Sequence, residues 1–293
     1  MKTTIIGAGK MGQWFARFFQ EAGDLVTVSS RSEEKLSRIR ETLGVKIADN
    51  VSAIKNTDRI LICVPLKNIE EVAKEICSHI RSNQVVMDIC SIKEPSVKIL
   101  HEYITTGLTL GTHPVFGPGV KSIKNQNFVL TPTNAKEEQF ANKFKRWLRG
   151  KQANVFLMSP KEHDDLMALV LGLPHFIGLV VCDTLVDYPH FLETKKVAGA
   201  SYRMLLTLAE SVASEATEFY TSLQLNLPGI QEIERGFLDK SEEWLALVKR
   251  KDRSAFADKM DLVKRRLKAI NPNYVKQYEI MHRFLDATCY KAS

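Results

Sequence analysis

Hydrophobic positions along the first half of the chain switch repeatedly between two periods. Short apolar runs occupy residues 2–6, 25–29, 58–64, 85–88, 108–110, 128–131 and 154–158. Runs of that length, rich in β-branched residues, predict buried strands. Between them, apolar positions recurring every three or four residues predict helices over 10–22, 68–80 and 136–148. In the first of these, Trp14, Phe15, Phe18 and Phe19 supply the apolar face. Ser32 is placed to cap a further helix with Glu33 and Glu34 in its first turn, where carboxylates meet the positive end of the helix dipole. Strands alternating with helices imply a mostly parallel sheet covered on both faces.

After Ser159-Pro160 the pattern changes. From Lys161 onward the helical period dominates and few strand candidates remain. Residues 166–186 are strongly apolar, but the run is interrupted at Pro174 and flanked by Asp164, Asp165, Asp183 and Asp187. A membrane span would bear those interruptions poorly. A buried helix is expected instead, shared between the subunits of a homodimer. Asn226-Leu227-Pro228-Gly229 reads as a break, with amphipathic helices near 241–249 and 253–270. The expected domains are residues 1–158, of α/β class, and residues 159–293, all helical.

Composition adds exclusions. At 44% hydrophobic and 26% charged over 293 residues, the chain is of ordinary globular composition and long enough for two domains. Its N-terminal apolar run is too short for a signal peptide, so a cytoplasmic protein is expected. Five cysteines, Cys63, Cys77, Cys90, Cys182 and Cys289, are scattered without a CxxC pair. They read as reduced, mostly buried thiols, with no metal site expected. The formal charge is +7. Its densest patch (Lys143, Lys145, Arg146, Arg149, Lys151) lies on a predicted helix surface without interleaved aromatics, and reads as a solvated face rather than a nucleic-acid site. The other reading of the charge is a field that attracts a polyanionic cofactor and an anionic substrate.

Gly7-Ala8-Gly9-Lys10-Met11-Gly12 follows the first predicted strand and opens the first predicted helix. In that context G-x-G-x-x-G marks a Rossmann-type dinucleotide-binding domain: the glycines permit a tight turn, close approach of pyrophosphate and close helix packing. NAD sites of this kind usually carry a carboxylate at the end of the second strand. Here the chain reads Val28-Ser29-Ser30-Arg31-Ser32. Ser30, Arg31 and Ser32 are suited to a ribose 2′-phosphate, so NADP is expected over NAD.

Further on, Gly111-Thr112-His113-Pro114-Val115-Phe116-Gly117-Pro118-Gly119 holds a histidine in what reads as a stiff turn. An imidazole held beside a nicotinamide could take a hydroxyl proton as the hydride leaves; the plain alternative is a loop-capping histidine. Asp88-Ile89-Cys90-Ser91-Ile92-Lys93 leaves the strand 85–88 at the carboxyl end of the sheet, where open α/β folds bind ligands.

Together with Glu162-His163-Asp164, Leu173-Pro174-His175-Phe176 and Ala200-Ser201-Tyr202-Arg203-Met204, these motifs fall in the order of the prephenate/arogenate dehydrogenase family of tyrosine biosynthesis. The chain resembles that family over most of its length. The resemblance implies a nicotinamide-dependent oxidative decarboxylation of prephenate to 4-hydroxyphenylpyruvate, in a cleft between the two domains. It gives His113 the substrate hydroxyl and Ser91 the same region. Lys93 and Arg203 are given the substrate carboxylates, and His175 a place near the substrate. For Lys93 an ordinary surface lysine is the alternative, and for His175 a core histidine. His163 matches a family position too, with a helix-turn role beside Asp164 as the alternative.

Arogenate is the rival substrate. A non-catalytic NADP-sensing regulator would keep the glycines without needing Ser91, His113 and Arg203. A β-hydroxyacid dehydrogenase would need a lysine that 172–176 lacks. No fused mutase or amino-acid-sensing domain is expected.

Overall fold

The computed structural model describes residues 1–287. Among them, eight strands form one sheet: β1 (Lys2–Ile6), β2 (Leu25–Ser29), β3 (Lys46–Ile47), β4 (Arg59–Ile62), β5 (Val85–Asp88), β6 (Leu108–Pro114), β7 (Asn127–Thr131) and β8 (Asn154–Leu157). Their spatial order is β3-β2-β1-β4-β5-β6-β7-β8. Neighbouring strands are parallel except β6 and β7. The accompanying helices are α1 (Lys10–Glu21), α2 (Glu33–Leu43), α3 (Asn50–Ile54), α4 (Ile69–Ile76), α5 (Lys93–Tyr103), α6 (Ala135–Gly150) and α7 (Pro160–Met167).

Because side chains alternate along a strand, the apolar runs feed two cores. Ile5, Leu61 and Met87 join Phe15 and Phe19 of α1, Ile39 of α2, and Phe144 and Leu148 of α6. Ile6, Ile60, Ile62 and Val86 join Ile54 of α3, Ile69 and Ile76 of α4, and Leu100 of α5. A sheet covered on both faces is what near-continuous apolar strands require.

Two differences from the sequence reading matter. Helix α5 was not expected, since Pro95 falls just after the Asp88–Lys93 motif. Proline is tolerated in a first helical turn, and Val97 and Leu100 then fall at helical spacing on its buried face. His113 is also not in a turn. Strand β6 runs on through Pro114, and His113 pairs with Val129 of β7. Its backbone is fixed by a ladder rather than by flanking prolines alone.

The spatial division of the chain falls after Met167: one compact unit is Met1–Met167 with Leu225–Leu227. Helix α7, beyond the expected boundary at Ser159, packs against α5. The second unit holds a π-helical turn (Ala168–Gly172) and α8 (Leu173–Val186), α9 (Phe191–Lys196), α10 (Ala200–Ser214), α11 (Thr217–Asn226) as far as Gln224, α12 (Ile230–Arg250), α13 (Arg253–Ile270) and α14 (Gln277–Ala287). Helices α8 and α10 approach closely: a Cβ on Gly178 would lie 2.8 Å from Val212 Cγ2. The break before α12 is Gly229, at φ +73°.

The apolar helix α8 is largely uncovered within the single chain, which leaves its expected burial between subunits untested. Within the chain only Gly178 of α8 is buried, and Leu179, Val180 and Val186 face outward. By length and composition the helical run Pro160–Val186 could cross a membrane. Its first two turns, however, carry Lys161, Glu162, Asp164 and Asp165, and pack in the first unit. Of the cysteines, Cys90 is buried, while Cys63, Cys77 and Cys182 are half-buried and free. Cys289 lies outside the described residues.

Gly111 of β6 faces α5 at close range. A Cβ there would lie 2.3 Å from Thr131 Oγ1 and 2.5 Å from Val97 Cγ2. Gly111→Ala is therefore expected to lower stability by about 1–3 kcal/mol through overpacking. Urea unfolding measures this, and an unchanged midpoint would contradict the packing described.

Candidate active site

The turn from β1 to α1 has the geometry of a phosphate cradle. Gly7 sits at φ +117°, and a Cβ on it would lie 2.5 Å from the Cys63 carbonyl oxygen. A Cβ on Gly12 would lie 1.8 Å from the Gly7 carbonyl oxygen. The first and third glycines therefore serve the turn and the seating of the helix. A Cβ on Gly9, by contrast, would meet nothing within 4 Å. Helix α1 begins at Lys10 and Met11 with no side-chain cap and no acid in its first turn. Open space before an uncapped helix N-terminus fits the pyrophosphate of a dinucleotide, with backbone N–H groups as donors.

At the end of β2 the three expected residues are close in sequence but differently employed. Ser32 caps α2, its hydroxyl accepting from Lys35 N at 3.3 Å. Ser30 Oγ accepts from Ser32 N at 3.2 Å. Arg31 is exposed and donates to both Glu71 carboxylate oxygens, at 3.0 and 3.1 Å. An exposed pair of this kind contributes little, so the guanidinium can exchange that carboxylate for a phosphate.

The second cluster lies at the carboxyl ends of β5 and β6, the ligand-binding edge of such a sheet. Asp88 ends β5 and Lys93 opens α5. Lys93 is fully buried; its ammonium donates to Asp88 and, at 2.6 Å, to the Thr112 carbonyl. Cys90 N donates to Asp88 Oδ2 at 3.0 Å, and Thr112 Oγ1 donates to the Asp88 carbonyl at 2.5 Å. The expected substrate contact of Lys93 is thus corrected, as is its surface alternative. With its charge spent on Asp88 and no exposure, it pins Thr112, the residue before His113. Removing one partner of a buried pair typically costs about 3–5 kcal/mol. Ser91 is half-buried in the loop between Asp88 and Lys93.

His113 is buried, and its Nδ1 lies 2.8 Å from Nε2 of His163. His163 Nδ1 lies 2.7 Å from Asp164 Oδ1. That carboxylate also accepts the backbone N–H of Lys93 at 2.7 Å and of Glu94 at 2.8 Å, capping α5. Burial holds the His113 pKa well below the usual imidazole value, with His163 and Lys93 adding in the same direction. His163 is lowered too, chiefly by burial, against a partial pull upward from Asp164. Both rings are therefore neutral near pH 7. Sequence reasoning left Asp164 out and His163 undecided. A signal was present: His163, Asp164 and Met167 share the buried face of α7, and polar residues on such a face need partners.

His175 and Arg203 belong to the second unit. His175, on α8, is half-buried with its ring 4.8 Å from that of Tyr220 and 6.2 Å from that of Phe219. Its Nδ1 is buried without a hydrogen-bond partner among the described residues, and burial lowers its pKa. Arg203, on α10, is half-buried.

The cradle, the sheet order and the buried histidine at the strand ends define a dinucleotide-binding protein of the Rossmann type. Residues 15–157 match the family model for the prephenate dehydrogenase nucleotide-binding domain, and residues 159–262 match that for the prephenate dehydrogenase dimerization domain. The chain belongs to the prephenate/arogenate dehydrogenase family.

A probable arogenate/prephenate dehydrogenase from Methanocaldococcus jannaschii is 33% identical over 256 residues, covering 86% of this chain. The chain spans only 57% of that relative's length. Among solved structures, prephenate dehydrogenase from Aquifex aeolicus, in complex with hydroxyphenyl propionate and NAD+, superposes with TM-score 0.76 at 20% identity over 92% of this chain and 98% of the other. Synechocystis arogenate dehydrogenase gives TM-score 0.69 at 17% identity over 94% of this chain and 100% of the other. At those identities the likeness establishes the fold.

The cradle generates a direct test. Gly9 has φ −69° and ψ 178°, which alanine adopts freely. Gly9→Ala is expected to leave the unfolding midpoint unchanged and to weaken binding of the nicotinamide dinucleotide at least about tenfold by occupying the pyrophosphate's space. Calorimetric titration reads the affinity; full affinity would show that Gly9 does not face the cofactor.

Proposed function

We propose that the protein is a prephenate dehydrogenase, converting prephenate to 4-hydroxyphenylpyruvate with NADP as hydride acceptor. The observation that carries this reading is His113: buried, neutral near pH 7, tethered through one ring nitrogen, and set at the ligand-binding edge of a dinucleotide-binding sheet. When bound, the nicotinamide supplies the hydride acceptor.

Every other requirement falls on the protein. The ring C4–H bond breaks as hydride leaves. The free ring nitrogen of His113 takes the C4 hydroxyl proton, so that oxygen becomes a carbonyl. The ring carboxylate departs as CO2, its bonding electrons pass through the dienone to the C4 oxygen, and the phenolate so formed takes a proton back from the His113 imidazolium. Aromatisation drives the reaction, leaving position, one base and anion recognition to the side chains. Ser91 orients the hydroxyl or the nicotinamide. Arg203 offers a planar fork to a substrate carboxylate, and His175, whose Nδ1 has no hydrogen-bond partner among the described residues, contributes a further polar contact.

NADP is favoured over NAD by Ser30 and Arg31 where a carboxylate would be expected on β2. A homodimer is favoured by the apolar side chains that the second unit turns outward, among them Leu169, Val170, Leu179, Leu192 and Val197, and by the match to a dimerization domain. Arogenate is the second reading, favoured by the double name of the Methanocaldococcus jannaschii relative.

Steady-state assays crossing prephenate and arogenate with NADP and NAD test the proposal. The highest kcat/KM is expected for prephenate with NADP, and a preference for arogenate or for NAD reverses the corresponding choice. His113→Asn should lower kcat by about 10²–10⁴-fold while cofactor affinity is kept. Turnover surviving in that variant would remove the base assignment.

A further inference from the structure

The proposed base leaves open which nitrogen of His113 takes the proton, and what supports the ring once it is charged. Asp164 supplies the starting point. As a carboxylate that accepts the N–H groups of Lys93 and Glu94 at 2.7 and 2.8 Å, it is an acceptor only. His163 Nδ1, 2.7 Å from Asp164 Oδ1, must then carry a hydrogen. A neutral imidazole has one N–H, so His163 Nε2 is bare and accepts. The atom facing it at 2.8 Å is His113 Nδ1, which must therefore donate. His113 Nε2 is left with its lone pair.

We propose that Asp164 and His163 are positioning residues that lock His113 in the Nδ1–H tautomer, direct its Nε2 lone pair at the substrate hydroxyl, and stabilise the imidazolium formed there. The proposal rests on His113 being the base. In the proton step the substrate O–H bond breaks and an Nε2–H bond forms. The charge then on His113 is shared through Nδ1–H to His163 and faced by the Asp164 carboxylate.

The setting makes this support necessary. Burial, a charged His163 and the Lys93 ammonium all oppose a positive charge on His113, so His163 can support that charge only as a neutral ring accepting through Nε2. Lys93 is itself matched by Asp88, whose carboxylate, with that of Asp164, favours charge on His163. The dyad thus lets a desolvated ring hold a proton transiently. A purely structural role explains less: the cap on α5 uses Asp164 alone, and nothing in it requires an imidazole at 163.

The experiment compares His163→Leu with His163→Gln in the full chain, assayed with prephenate or arogenate, whichever is turned over. Leucine removes the acceptor for His113 Nδ1–H. Glutamine can place its amide oxygen near the lost Nε2. His163→Leu should lower kcat about 10²-fold or more, His163→Gln should recover to within about tenfold of the parent, and NADP affinity should stay constant in both. The acid limb of the kcat/KM profile should move to lower pH in His163→Leu, because the imidazolium has lost its acceptor. A loosened core would admit water and move that limb up, toward the usual imidazole value.

Should His163→Leu fail to fold, Asp164→Asn serves in its place. It weakens the demand for Nδ1–H on His163 and should lower kcat comparably. A fully active His163→Leu, a His163→Gln no better than His163→Leu, or an upward shift of the limb overturns the relay. Those results leave His113 as base, provided His113→Asn is inactive; an active His113→Asn removes the base assignment itself.

Discussion

One buried carboxylate organises the carboxyl edge of this sheet at β5 and β6. Asp164 projects from α7 onto the first turn of α5 and accepts two of its unsatisfied N–H groups. A bare carboxylate in that setting would be costly, but the helix dipole, two backbone donors and an imidazole N–H offset the loss of water. The consequences run two ways to His113. Through the backbone, the cap fixes Lys93 at the start of α5, and its ammonium holds the carbonyl of Thr112, next to His113. Through the side chains, Asp164 fixes His163, which fixes the ring of His113. The histidine is thus held at main chain and at ring by interactions that return to one group.

The cluster at these strand ends is unusually charged for a buried region. Asp88, Lys93, His163 and Asp164 all lie out of solvent within reach of one another. What makes it tolerable is pairing: Lys93 with Asp88, and His163 with Asp164. What makes it useful is sign. Burial, a charged His163 and the Lys93 ammonium disfavour protonation of His113, so the ring is neutral near pH 7, as the proposed base must be. A base of this kind is poised by its surroundings rather than by the acidity of its substrate. Space is regulated as closely as charge, since Gly111 leaves room for Val97, Thr131 and the stem of Lys93, whose Cδ lies 3.6 Å from where a Cβ would be.

Much of the fold was legible because its signals are local. Strands β2 and β5 coincide with their apolar runs, and G-x-G-x-x-G could be read because it directly follows the run of β1 and opens α1. Elements carried by partners were not legible. Strand β3, two residues long, is defined by pairing with β2 and has no pattern of its own. The exposure of α8 could not be told from burial, since an apolar helix waits equally for a core or for another subunit. In the candidate site, His113 stood out by residue type and position, while Ser91 was named through the family resemblance. Lys93 could not be assigned correctly, because an amine beside a ligand-binding edge and an amine buried under it share one sequence. His163 was visible as a residue, but its partner lies fifty positions away in the chain, and only the fold brings Nε2 to Nδ1.

The central claim concerns the position of single hydrogens, and nitrogen-15 NMR of the histidine side chains reads it directly. In the neutral state near pH 7, His113 and His163 are each expected to show a protonated Nδ1 and a bare Nε2, with the His113 Nδ1–H shielded from exchange. A His113 ring protonated at Nε2 would contradict the account, because its basic nitrogen would then face His163 and not the substrate.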